Sequence, residues 1–272
     1  MKLDYNIISQ KISRDEWKVA FELAKEPGWP EYVSPTSNTK PTDEYPKEVA
    51  EKIIDVFYSF KSRKIHTIGN IDVFYENALN GGGMIQANYY LDIIKTRYNG
   101  KVFKKCYEWC SGPGFIGFSL LGHGLCESVC FSDVYSPAIN CVKDSIKHNN
   151  SKGTAYLGSE LSCLPDNEIF DLVVSNPPHF KQSADFHTNN KHDLRLNVDL
   201  NWQAHKDFFN NIKKHLAADG IVLLQENTDG SALDIFLPFI NTSGLKVTDV
   251  FCNAEYSSDD NSFYYIELTH AT

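Results

Sequence analysis

The sequence predicts an α/β protein with a doubly wound, mostly parallel seven-stranded sheet and an antiparallel last strand, plus an N-terminal helical and β-hairpin extension. Three observations carry this. From residue 104 onward, short apolar runs alternate with amphipathic stretches long enough to be crossover helices, as parallel strands covered on both faces require. A glycine-rich segment at 112–117 stands where the first of those runs gives way to a helix. The final two runs are joined only by Ser257 to Asn261, with no helix between them, so the last strand must turn back.

The extension is read as residues 1–80. Trp17, Ala20, Phe21 and Ala24 recur at helical spacing behind a Ser13/Glu16 capping box, predicting a helix over 13–25. A proline-rich connector follows, then a second helix over 46–61. Gly69-Asn70 separates two alternating runs and predicts a hairpin. Residues 81–272 form the main domain, opened by a helix from Ile85. Its strands are expected at 104–110, 127–133, 154–158, 170–176, 221–227, 246–252 and 262–268, with helices at 112–121, 136–149, 203–217 and 231–241.

Composition narrows the function. The 272 residues carry a formal charge of −9, which argues against a surface that grips phosphate backbones throughout. No run approaches the length of a membrane span, and the opening MKLDYNIISQ lacks the apolar core of an export signal, so a cytoplasmic protein without a membrane partner is expected. The seven cysteines are read as reduced thiols. Cys106/Cys110 and Cys126/Cys130 lie in strand-like segments, and His179, His187, His192 and His205 lack ligand spacing, so no metal is expected.

The chemistry concentrates in two turns. Glu108-Trp-Cys-Ser-Gly112-Pro-Gly114-Phe-Ile-Gly117 places glycines at a strand-to-helix junction, where backbone can approach a ligand closely. Asp133 lies 21 residues past Gly112, where a ribose-binding acid belongs, so the segment alone suits a nicotinamide or flavin enzyme. Glu108 argues otherwise, because a carboxylate at the strand end repels a pyrophosphate and suits a cationic ligand. The second turn is Asn176-Pro177-Pro178-His179-Phe180, directly after the strand FDLVV. Its prolines stiffen the backbone so that the Asn176 amide and the Pro177 carbonyl can converge on one NH₂ group, with His179 or Phe180 stacking behind it.

Together these residues resemble the class I S-adenosylmethionine-dependent methyltransferases, a Rossmann-like family, and within it the subgroup carrying Asn-Pro-Pro-Tyr/Phe/His that methylates planar nitrogens. The resemblance covers about residues 80–270. It implies that Glu108, Gly112 and Gly114 surround the methionine part of the cofactor, Asp133 accepts from the ribose hydroxyls, and Ser159 or Glu160 lies beside the adenine. Asn176, Pro177 and His179 would hold the nucleophile, with Asn176 also bordering the cofactor. Two departures stand out: Cys110 replaces a small glycine-like residue and His179 the commoner aromatic. The hairpin, glycine run and helix also resemble the element preceding the catalytic domain in glutamine methyltransferases of release factors. The arginine-proline stretch of that family is absent here, and Gln86 either contacts the cofactor or begins the helix.

Residues 181–205 form a long connection of the kind that covers active sites. Phe180, Arg195 and His205 are its substrate candidates, with His187 and His192 beside them, while Trp202 is expected to anchor the following helix. The basic clusters near Lys61, Lys101 and Lys213 read as solvated surface. The expectation is transfer of a methyl group from S-adenosylmethionine to a planar amide or amino nitrogen, on a protein glutamine, a nucleobase or a small metabolite. Two alternatives stay open: an NAD(P)-dependent oxidoreductase using the same glycine loop, and a catalytically inactive binding domain.

Overall fold

The computed structural model describes residues 18, 20–22, 24–32, 45–62, 64–76, 83–158, 160–182, 198–252 and 263–271. By contacts the chain divides into two units, Met1–Arg63 and Lys64–Thr272. In the first, helix α1 (Lys47–Ser62) contributes Ala50 and Ile53 to a small core with Ala20, Phe21, Ala24 and Tyr45. The Phe21 ring meets Trp29, Tyr32 and Tyr45 at centroid distances of 5.9, 5.4 and 5.4 Å. The expected Ser13/Glu16 capping box and Trp17 lie outside the described residues.

In the second unit, strands β1 (Lys64–Ile68) and β2 (Ile71–Tyr75) pair antiparallel around the Gly69-Asn70 turn. This hairpin, expected within the extension, packs with the sheet domain: Phe74 N–H donates to Ser145 Oγ and Asp72 N–H to Asn149 Oδ1, both at 2.9 Å. By contacts the boundary between the two units falls at residue 63/64.

Helix α2 (Gly83–Arg97) then leads to alternating strands and helices: β3 (Cys106–Trp109), α3 (Phe115–Gly122), β4 (Val129–Asp133), α4 (Ser136–Asn149), β5 (Gly153–Leu157) and β6 (Phe170–Ser175). After them come β7 (Phe180–Gln182), β8 (Val198–Leu200), α5 (Gln203–Asn211), β9 (Leu216–Asn227), α6 (Leu233–Ser243), β10 (Leu245–Phe251) and β11 (Phe263–His270). The seven-stranded sheet has the order β10-β11-β9-β6-β3-β4-β5, with β11 antiparallel to both neighbours.

Period-two alternation sends side chains to two layers. Cys106 joins the core under α2 and α3, while Tyr107 and Trp109 join the core under α5 and α6. Glu108 is the exception on β3, a buried carboxylate in an otherwise apolar strand.

Two expectations change. The helix expected over 203–217 stops at Asn211; Ile212–His215 tightens into a 3₁₀ turn and Leu216 already pairs with Phe170, with a register shift following on β6. Pairing with β6 thus claims residues that local pattern assigns to a helix. The connection expected over 181–205 contains strand, because β7 and β8 pair parallel with Phe180 opposite Val198. Among the described residues, no helix is long and apolar enough to cross a membrane.

Candidate active site

Sheet register brings both turns to one edge. Leu224, Ser175, Trp109, Ser132 and Tyr156 are cross-strand neighbours from β9 to β5. The residues that follow them in the chain are Gln225 and Glu226, Asn176, Cys110, Asp133 and Leu157. The carboxyl edge of the sheet therefore gathers the glycine turn, Asp133 and the Asn176 turn, at the place where open α/β sheets bind ligands.

The glycine turn is held from both sides. Glu108, 2% exposed, accepts N–H bonds from Ile116 at 3.3 Å and Gly117 at 2.7 Å, satisfying donors at the start of α3. Burial pushes its carboxyl up to about 8, against those two bonds. Gly114, at φ 86°, has no room for a Cβ, which would sit 2.7 Å from the Phe131 ring. Gly112 is also left-handed, at φ 50°, and so is Cys110, at φ 52°. The position where the family resemblance expects a small glycine-like residue is thus one whose backbone favours glycine.

Asp133 ties this turn to β4. Its Oδ2 accepts from Gly112 N–H and its Oδ1 from Tyr135 N–H, each at 2.8 Å, and burial raises its pKa against these bonds. Each carboxylate oxygen keeps acceptor capacity for a hydroxyl. Sequence reading missed Val134 and Leu157, large apolar residues 56% and 52% exposed beside the acid. Leu157 lies directly across β4 and β5 from Asp133, so an exposed apolar side chain stands next to the acid. The available signal was a valine directly after the acid. Glu160 is exposed at the start of the 3₁₀ turn Leu161–Cys163, and Ser159 lies outside the described residues.

The second turn is anchored beneath. Ser175 Oγ donates to the Trp109 carbonyl at 2.6 Å, and Tyr90 Oη donates to the carbonyls of Ser175 and Leu223 at 2.6 and 3.0 Å. Asn176 is half-buried, Pro177 buried and Phe180 exposed. Behind the turn, Gly230 approaches so closely that a Cβ there would stand 2.3 Å from the His179 carbonyl oxygen.

His179 is buried, its ring edge-on to Phe263 at 5.5 Å. Its Nε2 lies 3.0 Å from Asn176 Oδ1 and its Nδ1 3.4 Å from Glu226 Oε2. Glu226 Oε1 in turn meets His205 Nε2 at 3.2 Å, and His205 Nδ1 meets Asp199 Oδ2 at 2.7 Å. Glu226 and His205 are fully buried. Burial disfavours the His205 cation, yet Glu226 and Asp199 hold its pKa up to about 9. Burial likewise opposes the two carboxylates, but the histidines keep both below the usual range.

His205, a substrate candidate from sequence, therefore sits inside a buried chain of charges. Trp202 is core, 4% exposed and edge-on to Phe236. Gln86 is buried near the start of α2 and accepts from Gln225 Nε2. Arg195, His187 and His192 lie outside the described residues. Sequence reading also missed Glu226 and Asp199; the signal for Glu226 was a carboxylate ending an apolar strand, whereas Asp199 carried none. Among the described residues, no group of three or more His, Cys, Asp or Glu side chains is placed to hold a metal ion.

The family model "Methyltransferase small domain" matches residues 88–229, from α2 through the Asp229 turn. Over 122 residues, 45% of this chain, the sequence is 28% identical to the ribosomal RNA small subunit methyltransferase C of Buchnera aphidicola subsp. Cinara cedri. That alignment spans about a third of the relative, 34% of its length. Among solved structures, the T. thermophilus 16S rRNA N2 G1207 methyltransferase, in complex with AdoMet and guanosine, superposes with a TM-score of 0.50 at 13% identity, covering 76% of this chain and 50% of that one. An S-adenosylmethionine-dependent methyltransferase from Clostridium acetobutylicum gives 0.48 at 11% identity, covering 70% and 92%.

Proposed function

From the premise that the chain belongs to the methyltransferase small domain family, we propose that it methylates an amino nitrogen of an RNA base held by the Asn176-Pro177-Pro178-His179 turn. The cofactor is S-adenosylmethionine, and the family match sets aside the hydride-transfer alternative. Several features of the site fit this cofactor: the left-handed turn at Cys110–Gly114, the spare acceptor capacity of Asp133, and the exposed Val134 and Leu157. Asp133 would take the ribose hydroxyls and the apolar pair the adenine, with Gly112 and Gly114 beside the methionine part. Glu108 fixes the turn through its bonds to α3.

Bound there, S-adenosylmethionine supplies a sulfonium methyl, an electrophile that needs no activation. The chain's task is to present the nucleophile. The Asn176 amide and the Pro177 carbonyl would accept both N–H bonds of an NH₂ group, turning its lone pair out of conjugation, and exposed Phe180 offers a ring against which a base can stack. Positioning of this kind is worth several orders of magnitude when reacting groups are held at contact distance.

One observation carries the proposal: Asn176 ends β6 beside the β3 and β4 turns that would hold the cofactor, with its amide oxygen engaged by a buried ring. An RNA acceptor is supported by the rRNA methyltransferase relative, and the formal net charge of −9 is compatible with recognition of a single base. Incubation with methyl-labelled S-adenosylmethionine and an unmodified small-subunit rRNA transcript, followed by nucleoside digestion, tests it. The expected product is an N-methylated nucleoside. Label on a ring carbon, label entering protein or small metabolites from a cell extract instead, or no transfer at all would overturn the assignment.

A further inference from the structure

Both turns at the carboxyl edge hang from the same residue. Ser175 is fully buried at the end of β6 and lies across from Trp109, the last residue of β3. Its Oγ donates to the Trp109 carbonyl at 2.6 Å. A peptide unit is planar, so the direction of that carbonyl also sets the nitrogen of Cys110, where the left-handed glycine turn begins. The backbone of Ser175 is held in its turn by Tyr90, a fully buried residue of α2. The Tyr90 hydroxyl donates to the Ser175 carbonyl at 2.6 Å, shares its proton with the Leu223 carbonyl at 3.0 Å, and accepts from Ser175 N–H at 3.4 Å.

We propose that Ser175 and Tyr90 are positioning residues that set the span between the cofactor turn and the acceptor turn, and so the approach of the methyl group to the nitrogen. The proposal rests on the amino-nitrogen reading given above.

The stiffness of the acceptor turn makes its root decisive. The Ser175 carbonyl shares a peptide plane with the backbone nitrogen of Asn176. The proline that follows restricts Asn176 to extended backbone, and the rings of Pro177 and Pro178 fix their own φ. With few torsions left to absorb an error, a tilt of the first plane passes to the Asn176 amide and the Pro177 carbonyl as a rigid rotation. Two residues of extended chain span roughly 7 Å, so a tilt of about 10° moves the far end by about 1 Å. Misplacement on that scale costs on the order of a hundredfold in rate.

Strand pairing already joins Ser175 to Trp109 on one side and to Leu224 on the other, so the two hydroxyls add direction rather than attachment. Tyr90 reaches the sheet from α2, and its own ring is met edge-on by Tyr265 at 5.4 Å and 87°. Phenylalanine at position 90 would keep that packing, and alanine at position 175 would keep the strand. Each would lose only the hydroxyl that aims a peptide plane.

The experiment compares Tyr90→Phe and Ser175→Ala with the wild-type full chain. On the unmodified rRNA transcript each is expected to lower kcat at least about tenfold, with KM and S-adenosylhomocysteine affinity within about twofold. Because both act through Ser175, the double variant should lose less than the product of the two single losses. A role in stability alone would lower the urea midpoint and leave kcat of the folded protein unchanged; that result, or a loss carried by KM, overturns the proposal. If one variant fails to fold, the other decides. A second measurement needs no acceptor: in protein labelled with ¹⁵N-asparagine, the side-chain resonances of Asn176, identified by their absence from N176A, should move in both variants. Resonances that stay in place overturn the proposal. Resonances that move, in a chain that methylates no transcript, support the bracing while refuting the acceptor, so the two readings fail separately.

Discussion

The backbone N–H of Gly112 donates to Asp133 Oδ2 at 2.8 Å, so the proposed ribose acid also fixes the glycine turn. Substituting Asp133 therefore has two consequences of different size. Asp133→Asn keeps an acceptor oxygen but loses the charge, and S-adenosylhomocysteine is expected to bind at least about tenfold more weakly, the loss of one charge-assisted bond. Asp133→Ala also strands the N–H groups of Gly112 and Tyr135, so the unfolding free energy measured in urea should fall as well, by on the order of 2 kcal/mol. Calorimetry and denaturation on the two variants separate these effects.

Asn176→Ala removes the amide without touching Glu108, Gly112 or Asp133. Affinity for S-adenosylhomocysteine should stay within about twofold while kcat falls roughly a hundredfold or more, since positioning is what is lost. Loss of both, or of neither, would contradict the role assigned to Asn176. Gly230→Ala tests the same turn from behind: its Cβ would meet the His179 carbonyl oxygen at 2.3 Å, so turnover should drop with cofactor affinity retained.

Gly117→Ala sets helix propensity against packing. Alanine gains about 1 kcal/mol over glycine within a helix. Its Cβ, however, would lie 2.7 Å from both Phe131 Cε1 and Val129 Cγ2 and 2.9 Å from Glu108 Oε2, atoms held in the sheet. Overpacking of that kind costs about 1–3 kcal/mol, so a net loss is expected in urea denaturation. Unchanged or raised stability would mean that α3 can move off the sheet.

Stability should fall as pH rises. His205 has a folded pKa of about 9, above its ordinary value near 6.5, so its contribution is complete below about pH 6.5 and lost as pH climbs to about 9. The full span is worth on the order of 3 kcal/mol. Glu108, raised to about 8 by burial, lowers stability in the same direction over a lower window that ends near pH 8. Between about pH 8 and 9 the fall comes from His205 together with the thiols of Cys106, Cys110, Cys130 and Cys163, whose pKa values burial also raises. Urea midpoints that stay flat across that interval would show that the ring is not held as a cation.

Much of this architecture was legible from residue order alone. Period-two apolar runs alternating with helical ones dictate a sheet with crossovers, and a missing helix before Phe263 dictates the reversed last strand, because both signals are local. Gly69-Asn70, the glycines of 112–117 and the paired prolines after Asn176 likewise announce their turns through backbone restrictions that each residue carries with it. What local chemistry could not reveal was partnership across the sheet. Asp199, His205 and Glu226 come from β8, α5 and β9, and only packing brings them to His179. Asn201 and Trp202 adopt left-handed backbone, at φ 52° and 58°, which asparagine tolerates but a bulky tryptophan disfavours; the burial of Trp202 and the cap that Asp199 gives Ala204 and His205 hold that geometry in place. A long-range electrostatic chain depends on distances that no spacing in the sequence encodes, so its existence was decided by the tertiary structure.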